Sequence, residues 1–302
     1  MIRAEKVAKK FGDFYALKDL SCEIQQGSIY GLVGANGAGK STLLRLISGV
    51  YKADEGRILI DGEPVYNNPE VKGRIAFVAD DVFFLPHSDL MRMKKLHQSA
   101  YPSFDEGYFF ELCNRFKLDR NKSLSAFSKG MRRQAALILA LASRPSILLM
   151  DETFDGLDPI MRNLIKTIIY ETMVDRSMTV VLSSHSLREL EDTCDQLSLL
   201  YKGGIVFESD VQNLKTRMFK VQIAFSEPFD GSRFQGFELI NYVQHGRVAN
   251  FILKGDREEA RAKLDAMQPL LLELLPLSLE EVFVHEMDAL GYEFSSEMKE
   301  GV

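Results

Sequence analysis

The sequence predicts an α/β fold with a mixed central sheet, followed by a small α+β appendage, and three observations carry that expectation. The β-rich run Ser28-Ile29-Tyr30-Gly31-Leu32-Val33 feeds the glycine-rich turn Gly34-Ala35-Asn36-Gly37-Ala38-Gly39-Lys40-Ser41, which opens onto helix-forming Thr42-Leu43-Leu44-Arg45-Leu46-Ile47. Strand, glycine-rich turn and helix in that order are the context of a phosphate-binding loop. Two later runs, Ile147-Leu148-Leu149-Met150 and Met178-Thr179-Val180-Val181-Leu182, have the near-continuous apolar character of strands covered on both faces of a parallel sheet. Beyond about residue 215 the rhythm changes to short alternating runs and capping-box sequences, as in a separate small unit.

In chain order, residues 1–30 alternate apolar and polar (Ile2, Ala4, Val7; then Leu20, Cys22, Ile24) around the turns Gly12-Asp13 and Gln26-Gly27, and read as antiparallel strands. Phe11, just before the first turn, reads from the residues alone as a core aromatic. In the turn 34–41 the glycines free the backbone to aim N–H groups at phosphate oxygens. The following helix adds its positive N-terminus, Lys40 a mobile charge for the β- and γ-phosphates, and Ser41 a hydroxyl for Mg²⁺. Residues 56–80 continue with the strands Arg57-Ile58-Leu59-Ile60 and Arg74-Ile75-Ala76-Phe77-Val78 about an Asp61-Gly62 turn. Residues 87–126 carry Leu90, Met93, Leu96, Tyr101 and then Tyr108, Phe109, Leu112, Phe116 at helical steps, an inserted helical segment interrupted at Pro102-Ser103.

Ser128 is placed to cap a helix whose buried face is Ala135, Ile138, Leu139 and Ala142, ending at Ser143-Arg144-Pro145. The strand 147–150 then ends in Asp151-Glu152, two carboxylates at the end of a buried strand where open α/β sheets bind ligands. Asp158-Pro159 starts a further helix with Leu164, Ile165, Ile168 and Ile169 inward. The strand 178–182 ends in Ser183-Ser184-His185, where the histidine is either structural or functional. A helix at 189–194 and strands at 197–201 and 205–208 close this region near residue 215. The expected division is therefore 1–215, with the helical insertion at about 87–143, and 216–302. In the second part, strands are expected at 219–225, 238–244 and 248–253, helices after Asp256 and Ser278, and a frayed end at 291–302.

With 302 residues, 46% hydrophobic and 26% charged, the chain has the composition of an ordinary globular protein, and its net charge of −6 gives no footprint for nucleic acid. Cys22, Cys113 and Cys194 are isolated and lack C-x-x-C spacing, as in a reduced cytosolic protein. No apolar run is long enough to span a membrane, and the N-terminus has no apolar signal segment, so a cytoplasmic chain is expected.

Taken together, residues 2–215 resemble the ATP-binding subunit of ABC transporters, with six motifs in order. Gly34 to Ser41 matches the Walker A loop, and Phe11 falls where the family has an adenine-stacking aromatic. Phe127-Ser128-Lys129-Gly130-Met131 stands in place of the signature LSGGQ. Residues 147–151 and Glu152 match Walker B and the catalytic glutamate, Gly156-Leu157-Asp158 the D-loop, and His185 the switch histidine. Four departures from the pattern stand out: Asp80, followed by Asp81, where glutamine is usual; Lys129 and, separately, Met131 in the signature; and the pair Thr153-Phe154 for Pro-Thr. Aspartate brings a charge and a shorter reach than glutamine to Mg²⁺ and water.

The resemblance implies a P-loop NTPase fold of ABC type and Mg²⁺-dependent ATP hydrolysis. It places ATP on Phe11, Gly34, Asn36, Gly37, Ala38, Gly39, Lys40, Ser41 and Thr42, with Ser128, Gly130 and Asp158 acting across a head-to-tail dimer. Mg²⁺ would lie at Ser41 and Asp151, with Asp80 as a third candidate, and catalysis would rest on Lys40, Glu152 and His185. Expected partners are a second copy or a paralogous ATPase subunit, and separate transmembrane permease subunits that hold the chain on the inner face of the membrane. Signature, insertion and the ending Leu279-Glu280-Glu281-Val282-Phe283 look most like bacterial exporter subunits of the bacitracin type. Two alternatives stay open: a non-hydrolysing regulatory half of a heterodimer, and a soluble ABC ATPase acting on ribosomes or DNA.

Overall fold

The structure, a computed structural model, describes residues 1–211 and 218–289. The chain divides into two units, Met1–Glu208 and Ser209–Val302. The boundary expected near residue 215 and the frayed end expected at 291–302 both lie outside the described residues.

The first unit begins with an antiparallel hairpin, β1 (Ile2–Phe11) and β2 (Phe14–Ile24), whose turn sets Phe11 opposite Phe14. With β4 (Glu55–Ile60) and the short β5 (Glu63–Pro64) it forms a four-stranded sheet in the order β2-β1-β4-β5. Between them in sequence come β3 (Ile29–Val33) and α1 (Lys40–Ile47). A single-turn helix, α2 (Pro69–Lys72), capped by Asn68, leads into β6 (Ile75–Val78).

The insertion follows as α3 (Leu90–Ala100) and α4 (Glu106–Arg115), each capped by an aspartate, then α5 (Lys129–Ala142). Leu96, one of the apolar residues at helical steps, is 46% exposed. The inward positions are instead Leu90, Met93, Lys94 and His97, an i, i+3, i+4, i+7 face that leaves Leu96 to one side. Lys94 is tolerated there because its ammonium reaches Glu106 of α4.

β7 (Ile147–Asp151), α6 (Pro159–Arg176), β8 (Thr179–Ser184), α7 (Leu187–Glu191), β9 (Gln196–Tyr201) and β10 (Gly204–Asp210) complete the second, six-stranded sheet, ordered β10-β9-β3-β8-β7-β6. Its strands β9, β3, β8, β7 and β6 pair in parallel. β3, β7 and β8 are buried at every position, as their uninterrupted apolar runs require. The helix after β8 starts two residues earlier than expected, because Leu187 and Leu190 are the pair turned inward.

One core cluster joins both sheets through α1. Leu43, Leu44, Leu46 and Ile47 pack with Ile2, Leu20 and Ile60 of the antiparallel sheet and with Leu32, Leu149 and Val181 of the parallel one. These four residues fall on one wide apolar face of α1, with Ser41, Thr42 and Arg45 on the other, and that face is broad enough to reach both sheets. The parallel register then fixes the functional end of the sheet, setting Asp151 opposite Ser183 and Val33 opposite Ser184.

In the second unit β11 (Met218–Ala224), β12 (Ile240–His245), β13 (Val248–Lys254) and β14 (Leu271–Pro276) form an antiparallel sheet in the order β12-β13-β11-β14. α8 (Arg257–Asp265) contributes Ala260 and Leu264 to a core of Phe219, Phe225, Phe234 and Phe251, and α9 (Leu279–Ala289) follows. Both helices start where their capping sequences place them: Asp256 accepts from Glu259 N–H, and Ser278 and Glu281 bond reciprocally. Among the described residues, no helix is long and apolar enough to cross a membrane.

Candidate functional site

The loop after β3 turns at the C-terminal edge of the parallel sheet, and two of its glycines are sterically required. A Cβ on Gly34 would sit 2.4 Å from the Leu200 carbonyl oxygen, and one on Gly39, at φ +112°, 2.7 Å from that of Ala16. Gly39 caps α1 without a side chain, so the first-turn N–H groups stay aimed along the loop. Lys40 is 5% exposed; its ammonium donates to the carbonyls of Gly34 (2.6 Å) and Ala35 (3.3 Å) and pairs with Glu152 Oε1 at 3.1 Å. The loop's own oxygens thus hold a mobile cation at the floor of the site.

The carboxylates expected at the end of β7 are both there, in different surroundings. Asp151 is 1% exposed, and its Oδ1 accepts from the hydroxyls of Ser41 (3.0 Å) and Ser183 (2.6 Å). Its Oδ2 is buried with no hydrogen-bond partner among the described residues. Glu152 sits at φ +46°, a left-handed backbone that a non-glycine residue adopts at a cost and that turns its side chain toward Lys40. Its N–H donates to Ser183 Oγ (3.0 Å), and its Oε2 meets His185 Nδ1 at 2.8 Å. Ser183 therefore orients the Asp151 carboxylate and holds the Glu152 backbone at once. Ser183 stands out in the sequence only as a strand end, and its role comes from its place opposite Asp151 in the parallel register of β7 and β8.

An unpartnered buried carboxylate oxygen beside a serine hydroxyl fits a hard cation. Leaving such an oxygen unmatched is costly, and Mg²⁺ takes oxygen ligands from one or two carboxylates plus substrate phosphates. Ser41 and Asp151 would hold it.

A cavity of about 280 Å³ opens over the loop, and its lining brings Phe11, Asn36, Gly37, Ala38, Gly39, Lys40, Ser41 and Thr42 together with Asp80 and Glu152. Phe11 is 45% exposed, which corrects its reading as a core residue; its ring stands edge-on to Tyr51 at 5.6 Å. Phe14, opposite it across the hairpin turn and 62% exposed, lines the same cavity and was missed. Both offer a flat apolar face to a ring.

Asp80 lines the cavity, but its carboxylate is already matched. Oδ1 accepts from Arg133, a side chain 1% exposed, and lies 3.9 Å from the Lys129 ammonium. The structure thus gives Asp80 an arginine partner while keeping it on the wall of the cavity. Ser128 and Asp158 cap α5 and α6, accepting from the N–H groups of Met131 (3.2 Å) and Met161 (2.9 Å). They and Gly130 are not among the residues that line the cavity.

Comparison with known proteins agrees with this geometry. The ABC transporter family model matches residues 17–155. The ABC transporter ATP-binding protein YtrB of Bacillus subtilis (strain 168) is 31% identical over 285 residues, covering 94% of this chain and 97% of that protein. The bacitracin transport ATP-binding protein BcrA of Bacillus licheniformis is 28% identical over 220 residues, 72% of each chain. The dimeric post-hydrolysis state of the ATP-binding cassette MJ0796, bound to ADP and Pi, matches with a TM-score of 0.63 and 24% identity over 70% of this chain and 99% of that one.

Proposed function

This chain belongs to the family of ABC transporter ATP-binding proteins, and from that premise we propose that it is a Mg²⁺-dependent ATPase that closes head to tail on ATP to drive separate membrane subunits. The observation that carries the catalytic part is the continuous row Lys40–Glu152–His185, whose first two members line the cavity, with contacts of 3.1 and 2.8 Å. The loop amides and Lys40 bind the β- and γ-phosphates, and Phe11 and Phe14 flank the adenine. Mg²⁺ at Ser41 and Asp151 would neutralise developing charge on the transferring phosphoryl group.

Glu152 orients the attacking water and accepts its proton, and His185, bonded to Glu152, faces the γ-phosphate. Ser128, Gly130 and Asp158 are supplied by the opposed chain, which accounts for their place outside the cavity. Closure excludes water and strengthens each of these interactions. In the loop from Asp80 to Pro86, Phe83 is 78% exposed and Leu85 39%, an apolar surface suited to a permease subunit. The likeness to a bacitracin transport protein supports export of peptides or drugs, with the chain held at the inner face of the membrane.

The test is phosphate release and oligomeric state with ATP for the purified chain and for Glu152→Gln. Turnover should be abolished while an ATP-bound dimer accumulates. Undiminished hydrolysis in the variant would sink the assignment. The same measurement decides against a non-hydrolysing regulatory half if the unaltered chain turns over.

A further inference from the structure

Four charges outside the catalytic row form an alternating network. Arg133 of α5 donates through Nη2 to Asp80 and through Nη1 to the backbone carbonyl of Asp155, whose carboxylate lies 3.7 Å away. Lys129, one turn earlier and 70% exposed, lies 3.9 Å from both carboxylates. Arg132 donates to the Val82 carbonyl at 2.5 Å, a second tie between α5 and the segment after β6. Three stretches meet at Arg133: the segment after β6, the helix that opens with Ser128-Lys129-Gly130, and the loop between Glu152 and Asp158. The guanidinium is fully buried, and its Nε has no partner among the described residues.

We propose that Arg133 is a positioning residue that holds Asp80 away from the cation site and surrenders it when Mg²⁺ and nucleotide are bound. This rests on the reading of the cavity as a Mg²⁺–ATP site. Asp80 lines the same cavity as Ser41 and Glu152, so its carboxylate has two competing cationic partners within one small space. The exchange is feasible because no buried charge is left alone on either side of it. When Asp80 turns inward, Arg133 retains the carbonyl and carboxylate of Asp155, and Arg132 still anchors Val82 as a pivot. A glutamine at position 80 would be held more weakly by either partner, since its amide oxygen accepts from a guanidinium or a cation without carrying a charge. The network therefore links occupancy of the nucleotide site to the opening residues of α5 and to the loop that leads to Asp158.

The test is binding of a fluorescent ATP analogue to the full chain, with Mg²⁺ and with chelator, which yields a Mg²⁺-dependent gain in affinity without requiring turnover. In Arg133→Gln that gain should rise about tenfold, because Asp80 is released to the cation. Arg133→Lys, which keeps a charge but cannot span two carboxylates, should raise it by less. Asp155→Asn removes the alternative partner of Arg133, so Asp80 is held more firmly and the gain should fall. Asp80→Asn should lower the gain and erase the effect of every Arg133 substitution in the same chain.

Opposite signs for the Arg133 and Asp155 variants are not what a loss of packing produces. The proposal is overturned if the Mg²⁺-dependent gain is the same in Arg133→Lys, Asp155→Asn and the unaltered chain, or if Arg133→Gln acts equally in an Asp80→Asn background. Absence of nucleotide binding by the unaltered chain would instead overturn the reading of the site itself.

Discussion

Asp151 and Asp80 stand at the same end of the same parallel sheet, on neighbouring strands, yet they are matched in opposite ways. Asp151 ends β7, is buried, and receives two hydroxyls on one oxygen while the other has no partner among the described residues. Asp80 lies just beyond β6, is 49% exposed, and is paired with a buried guanidinium. Hydroxyls orient a carboxylate without neutralising it, so Asp151 keeps its full charge for a cation. A guanidinium neutralises as it orients, so Asp80 has to be released before it can serve one. Position at a strand end marks a candidate ligand, and the neighbouring donors decide whether it is free to act.

The sharpest way to break that contrast is Asp151→Asn. It removes the charge while keeping the shape, and should lower ATP hydrolysis on the order of 10³-fold, the scale of losing a metal's charge stabilisation. Titration of phosphate release with Mg²⁺ checks it, and a loss below tenfold would put the cation elsewhere. Ser183→Ala comes next. Ser183 donates to Asp151 and accepts from the Glu152 N–H, so its loss should weaken Mg²⁺ dependence by about 10–100-fold, as for other partners that orient a metal ligand. A change in nucleotide affinity without Mg²⁺ of the same size would show that Ser183 acts on the loop and not through Asp151.

The two aspartates were not equally legible in the sequence. Asp151 follows an unbroken apolar run, and burial of that run on both faces forces the following carboxylates to the sheet end. The glycine spacing before Lys40 likewise encodes its own turn, and Ser128, Asp158, Asp256 and Ser278 announced helix starts because an N-cap is a local interaction. What depended on distant partners was hidden. Ser183 gains its role only through the register of β8 on β7, and Arg133 only through the fold that brings α5 beside Asp80. Phe14 was overlooked because it joins the cavity only through the hairpin register that sets it opposite Phe11. β14 was also missed: a leucine-rich run between Pro269 and Pro276 has no period that separates strand from helix, and its pairing with β11 decides.

The smallest effect is expected at Asp80. Asp80→Gln restores the family's usual residue but removes the partner of a buried cation, and the two consequences are separable. Arg133 keeps Asp155, and Asp80 is half exposed, so the loss of stability should be about 1 kcal/mol, well below the cost of stranding a fully buried charge. Urea unfolding measures it. ATP affinity of the isolated chain should change less than about tenfold, since hydroxyl-oriented Asp151 still carries the cation. The larger change should fall on hydrolysis stimulated by the membrane subunits, because the segment from Asp80 to Pro86 is both the exposed apolar surface and the part tied to α5. Equal stimulation in the two forms, with ATP affinity also unchanged, would reduce the Asp80–Arg133 pair to a structural contact and leave Asp151 as the only one of the two aspartates that serves the cation.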